Sequence, residues 1–284
     1  MIISIVISDS LIVFSAQGSI TRLFFSDWTV NLSAAAAFTL SGLATWNNYR
    51  VNKIIDDRNK RKKNQHDHNA NNDDDDATTH LYPYTSLTIA LALWLIAEVT
   101  WSYYELSLNM ENPFPSIADA FWLSGYIFIF YFVFGMYSSI SQKYRFDRDV
   151  LVLVSAASAI SLAFVFNLTF GVADIISNQQ NTILWVVSMA YPILDGIALV
   201  PCLMILLALR DNKKSSFHWI LLSTSIVVVT LADIGFGYTE VLDIAKSVNW
   251  IWSCGYNAAY IMMAVALFWH YKIISLYKRK VILK

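Results

Sequence analysis

Seven apolar runs of about 20 residues or more constrain this chain more than anything else in it. They fall at 25–47, 85–107, 118–140, 149–171, 182–209, 218–240 and 249–271. About 20 predominantly apolar residues are what an α-helix needs to cross the hydrocarbon core of a bilayer. Backbone amides inside a bilayer must find partners within the chain, so only helices and closed β-barrels span it. The runs lack the polar/apolar alternation of a barrel strand. Composition agrees: 56% of the residues are hydrophobic and 14% charged, where a soluble domain carries about a quarter charged. The expected fold class is all-α, a polytopic integral membrane protein of seven helices. An eighth is added if residues 1–16 (MIISIVISDSLIVFSA) also span; that run lacks the basic start of a signal peptide.

Four regions follow from this pattern: N-terminal helices over 1–49, a polar loop over 50–84, a six-helix core over 85–272 and a basic tail over 273–284. The loop carries Arg58, Lys60, Arg61, Lys62 and Lys63, then QHDHNANN and the acidic run Asp73 to Asp76. It has too little apolar surface to offset its ordering entropy and is expected to be disordered. His66 and His68 match no metal-site spacing, so no metal is expected. All of the 20 Lys and Arg except Arg22 and Lys246 lie in 50–84, in the 141–148 and 210–217 loops, or from Lys272 onward. The positive-inside rule therefore sets these segments in the cytoplasm of a multi-pass cell-membrane protein, with the C-terminus inside and the Pro113-Phe114-Pro115 turn outside. A basic cluster beside a span also suits anionic lipid headgroups. Cys202 and Cys254 sit in apolar runs and are expected to be packing residues.

The core repeats. Gly125-Tyr126, Ala190-Tyr191 and Gly255-Tyr256 recur 65 residues apart, and WLSGY (122–126) matches WSCGY (252–256). The helices before them match as well: AEVTWSYYE (97–105) against ADIGFGYTE (232–240), which pairs Glu98 with Asp233 and Glu105 with Glu240. The middle unit keeps its tyrosine and adds Asp195 four residues later. The expected core is three parallel two-helix hairpins, at 85–140, 149–209 and 218–271.

Ionisable residues inside membrane helices cost about 2.5–3.5 kcal/mol on insertion scales, and they face the protein interior or a cavity. Glu98, Asp195 and Asp233 are therefore the candidate polar centre, with Trp101, Trp122, Tyr126, Trp252 and Tyr256 as an aromatic frame. Glu98, Trp101 and Glu105 share one helical face. Acids set among aromatic faces suit a cationic or polar ligand. The competing reading is structural: the acids lock the hairpins by bonding tyrosine hydroxyls, and the aromatics mark the membrane interface. No lysine lies deep in a span to form a Schiff base, and Asp233 lacks the Gly-x-Gly-Asp context of an intramembrane protease. His218 and His270 are expected to be solvated at the interface rather than to hold a haem. No catalytic residue, cofactor or nucleic-acid partner is expected.

The pattern W-x3-E-x2-W-x-Y-Y-E from Trp94, followed by PFPS-x-AD-x-FWL-x-GY from Pro113, resembles the multi-helix membrane sensor domains of bacteria and archaea. Those domains precede histidine kinase, PAS or diguanylate cyclase modules. The resemblance is sharpest over 94–126 and implies an input domain that reads an external or membrane-borne cue. The tail ends about a dozen residues after the last apolar run, so the chain is expected to be a stand-alone sensor without an output domain or enzymatic activity. Its partners would be the lipid bilayer and a cytoplasmic or membrane-borne signalling protein. The alternatives are an accessory subunit of a membrane complex and a small-solute transporter.

Overall fold

The computed structural model describes residues 9–10, 20–65, 82–110, 113–141, 182–209, 217–241 and 245–282, with single positions at 152, 155 and 159. Six helices lie among them: α1 (Ile20–Gln65), α2 (Tyr82–Ser107), α3 (Ile117–Ser141), α4 (Thr182–Leu209), α5 (Phe217–Val241) and α6 (Ala245–Ile282). The described residues contain no strand. Five of these helices, α2 to α6, are long and apolar enough to cross a membrane. The expected helices at 1–16 and 149–171 lie outside the described residues, apart from isolated positions.

Helix α1 is not among the five, and the reason lies on its face toward α2. That face is polar: Asn31 donates to Ser102 Oγ (2.6 Å), Ser41 meets Thr88 (2.8 Å), and Thr45 bonds both Thr88 (2.9 Å) and the Tyr84 carbonyl (3.1 Å). One expectation is corrected at the far end of α1. Residues 50–65 continue the helix instead of opening a disordered loop. Lys, Arg and Gln hold a helix once one is nucleated, and Lys60 pairs with Asp56 one turn earlier at 2.8 Å.

The helices form a closed ring in which each touches its sequence neighbours among the described elements, and α6 returns to α1. The ring interior is divided along its length. At the basic end it is filled by fully buried Leu87, Leu91, Phe132, Met136, Ile205, Leu222, Met263 and Leu267. At the end bearing the Pro-Phe-Pro turn it is polar, and the candidate site lies there.

Local chemistry sets both ends of the α2–α3 hairpin. Helix α2 stops where Asn109 adopts a left-handed φ of 52° and the Met110 N–H turns back to the Tyr104 carbonyl at 3.1 Å. Asparagine tolerates that conformation better than most residues. The Phe114-Pro115 peptide is cis. Helix α3 starts with a capping box: Ser116 Oγ accepts the Ala118 N–H (3.2 Å), and Asp119 Oδ2 accepts the Ser116 N–H (2.6 Å).

Candidate functional site

Glycine lets the site helices approach. A Cβ on Gly125 would overlap the Trp94 indole, and one on Gly235 would overlap the Trp252 ring. Trp94 brings the Nε1 edge of its indole against α3, where Nε1 donates to the Trp122 carbonyl at 3.1 Å. This contact gives the small residue before Tyr126 its physical meaning. The Tyr126 ring packs 5.9 Å from Trp94 and is 3% exposed.

Tyr126 of α3 reaches two carboxyl groups at once. Its hydroxyl lies 2.5 Å from Asp195 Oδ1 on α4 and 3.0 Å from Asp233 Oδ2 on α5. Asp233 Oδ1 also accepts from Tyr256 of α6 at 2.7 Å, and Thr230 adds a longer contact to Asp195 at 3.4 Å. Glu98 of α2 accepts from Tyr260 of α6 at 2.8 Å and from the Trp122 side chain. Asp119, besides capping α3, accepts from Tyr191 of α4 at 2.8 Å. The Tyr126–Asp233 and Tyr260–Glu98 bonds join helices that are not neighbours in the ring, so these side chains cross its interior.

An aromatic layer covers this network on the turn side. Trp101 lies 5.6 Å from Trp122 and 6.0 Å from Phe236, and Phe236 lies 6.2 Å from Phe114 of the Pro-Phe-Pro turn. The centroid distances and tilted planes are those of ordinary aromatic packing. Trp252 bonds Thr239 through Nε1 at 3.0 Å, on the rim.

The sequence-predicted residues thus divide. Tyr126, Asp195, Asp233 and Tyr256 meet directly. Glu98 joins Trp122 and Tyr260, Trp101 caps the network, and Trp252 braces α5 against α6. Sequence reading missed Asp119, Tyr191, Tyr260, Thr230 and Phe236 as members of the site. Tyr191 carried a signal, because it is the middle tyrosine of the 65-residue series, and all three tyrosines of that series donate to an aspartate inside the ring. Tyr260 lies one turn beyond Tyr256 on the same face, but nothing in the sequence pairs it with Glu98. Glu105 is buried. Its carboxyl lies against that of Asp27 of α1. The side chain of Glu240 lies outside the described residues.

The network is acidic throughout. The spans Pro83–Ser107, Ile117–Ile140, Val186–Leu209 and Phe217–Thr239 hold no Lys or Arg, and Val248–Leu276 holds only Lys272, at the basic end. Lys60–Asp56 is the one ion pair among the described residues. Asp195 is 2% exposed, and its Oδ2 has no hydrogen-bond partner among them. Asp195 Oδ2 is thus a buried carboxyl oxygen without a donor, and a bare buried charge there would be costly. No group of three or more His, Cys, Asp or Glu among the described residues is arranged to hold a metal ion.

At the basic end the structure corrects the expectation of solvated histidines. His218 and His270 are both 7% exposed, with ring centroids 5.1 Å apart. His270 stacks on Tyr84 at 4.1 Å, and its nitrogens meet Tyr84 Oη (3.1 Å) and Asn48 Nδ2 (3.2 Å). Rings this close leave no room for a haem between them. The apolar residues of the ring interior separate this cluster from the acids. His66 and His68 lie outside the described residues. Cys202 is buried and Cys254 half-buried.

Set against known protein families, curated proteins and solved structures, the chain matches none of them.

Proposed function

We propose that this protein is a membrane-embedded receptor that responds to a cation, the proton included, at the Asp195–Tyr126–Asp233–Tyr256 cluster. It has no catalytic activity of its own and passes its state to a cytoplasmic or membrane-borne partner. In this reading the chain has seven or eight spans, its core is three parallel hairpins, and its C-terminus is cytoplasmic. The observation that carries the proposal is the acid–tyrosine cluster, which among the described residues has no basic partner and leaves the buried Asp195 Oδ2 without a donor. A purely structural lock needs no such excess of acceptors over donors. Here three hydroxyl donors reach three of the four carboxyl oxygens on two helices, and Asp195 Oδ2 is left over.

The response would be a change in how α3, α4 and α5 pack, because Tyr126 divides one hydroxyl hydrogen between acceptors on α4 and α5. A cation bound at either aspartate shifts that balance toward one packing, and the ligand's differential affinity sets the size of the shift. Helix α4 has a soft point at the right place. Pro192 and Pro201 lie inside it, and each removes one backbone hydrogen bond, on either side of Asp195.

The large apolar side chains that fill the ring between the acids and the basic end, Leu87, Leu91, Phe132, Met136, Ile205, Leu222, Met263 and Leu267, favour a receptor over a transporter. The test is thermal unfolding of nanodisc-embedded protein across a series of protons, alkali cations and small organic ammonium ions. The proposal expects one class of cation to raise the midpoint of the wild type and to leave folded Asp195→Asn and Asp233→Asn unmoved. Equal responses in wild type and both variants would overturn it.

A further inference from the structure

The seam where the ring closes, between α1 and α6, carries a second feature unrelated to the acids. Ser33, Ala36 and Leu40 of α1 and Ile261, Ala264 and Phe268 of α6 line a groove of about 290 Å³. Ala36 and Phe268 are exposed, so the groove opens on the outer surface of the ring. Its wall makes no polar demand, because Ser33 turns its hydroxyl to the Val30 carbonyl at 2.9 Å. We propose that this groove binds one acyl chain of an anionic phospholipid whose headgroup rests on the cations at the basic end of the seam.

Length decides against a partner helix as the occupant. Ser33 to Leu40 spans seven residues, about 10 Å of helix axis. That fits within the roughly 15 Å of one leaflet, whereas a crossing helix needs a track of about 30 Å. Charge decides the headgroup. Lys272 follows Phe268 by one turn on the same face of α6. Its ammonium lies 5.9 Å from the Trp269 ring centroid and meets no carboxylate among the described residues. Asn47 bonds Ser275 at 3.0 Å, which sets this part of α1 level with the Lys272 turn of α6. Exposed Arg50 and Lys53 follow directly on α1, equally without an ion pair among the described residues. An apolar slot about 10 Å long, with Lys272 one turn beyond its end and Arg50 further along α1 toward the same membrane surface, suits an acyl chain whose headgroup is negative.

The test is native mass spectrometry of the full chain in detergent with equimolar phosphatidylglycerol and phosphatidylcholine of identical chains. The wild type is expected to retain phosphatidylglycerol with about a tenfold or greater preference. The double variant Lys272→Gln/Arg50→Gln should lose that preference. Ala36→Leu, which fills the groove from its exposed side without entering the core, should lose bound lipid although every cation remains. Phe268→Ala, which removes one wall, is a second groove variant and should also lower retention. Equal retention of the two lipids by the wild type, or unchanged phosphatidylglycerol retention in both groove variants, would overturn the proposal. A dimer of the wild type that Ala36→Leu converts to monomer would overturn it too, by making a second copy the occupant.

Discussion

Replacing Tyr126 by Phe removes one oxygen atom and keeps the ring, with its neighbours Trp94 at 5.9 Å, Phe130 at 6.0 Å and Tyr191 at 6.4 Å. That single hydroxyl serves Asp195 at 2.5 Å and Asp233 at 3.0 Å. An average side-chain hydrogen bond between membrane helices contributes only about 0.6 kcal/mol. Tyr126→Phe costs more than that, because it strands acceptors as well as removing a donor. Asp233 keeps Tyr256, but Asp195 is left with Thr230 at 3.4 Å and an Oδ2 that has no partner among the described residues. A buried acceptor left without its donor costs roughly 1–3 kcal/mol. We therefore expect a loss of about 2 kcal/mol, which is on the order of a 30-fold change in the folding equilibrium. Tyr256→Phe should cost less, since Asp233 retains Tyr126. Tyr191→Phe should cost least, since Asp119 retains the Ser116 amide. Reversible unfolding in mixed micelles, followed by tryptophan fluorescence, gives the three values. A cycle with Asp195→Leu then isolates the Tyr126–Asp195 coupling, expected at about 1–3 kcal/mol. Equal costs for the three tyrosines, or a coupling near zero, would refute the assignment of Tyr126 as the hub.

Gly125→Ala should destabilise by about 1–3 kcal/mol, because its Cβ overlaps the Trp94 indole. Gly237→Ala, with nothing within 4 Å of its Cβ, should be neutral or raise stability by up to about 1 kcal/mol, and the same unfolding assay compares the pair. His270→Phe preserves the stack on Tyr84 but strands Tyr84 Oη and Asn48, and it should cost roughly 1–3 kcal/mol by that assay. Lys60→Met removes an exposed i,i+4 pair and should leave the unfolding midpoint within error, since exposed pairs contribute little.

Much of the fold was legible in the sequence, because length and apolarity fix a membrane helix with little help from tertiary context. The run at 182–209 coincides with α4, and those at 85–107, 118–140 and 218–240 lie within three residues of α2, α3 and α5 at each end. The ends of α1 and α6 were harder to place. Hydropathy marks where a helix leaves the membrane, not where it stops, and both helices run on through basic residues to Gln65 and Ile282. The acids and the tyrosines of the 65-residue series were legible because each breaks an apolar run. Their pairing was not, since Tyr126–Asp195 and Tyr260–Glu98 join positions 69 and 162 residues apart. Asp27 escaped because it stands near the start of its run, where an acid looks interfacial. Its contact with Glu105 exists only once α1 lies beside α2. The histidines escaped for the same reason: only the closed ring brings His218 and His270 together.

The central claim is that Asp195 and Asp233 are the groups through which the protein senses a cation. Infrared difference spectroscopy of nanodisc-embedded protein, before and after a step in pH or in the cation selected by the unfolding screen, addresses it most directly. The account predicts a carboxyl band that changes with the step, is absent in Asp195→Asn and is shifted in Tyr126→Phe. A carboxyl region that stays constant through every step in the wild type, or a band that survives intact in Asp195→Asn, would contradict it.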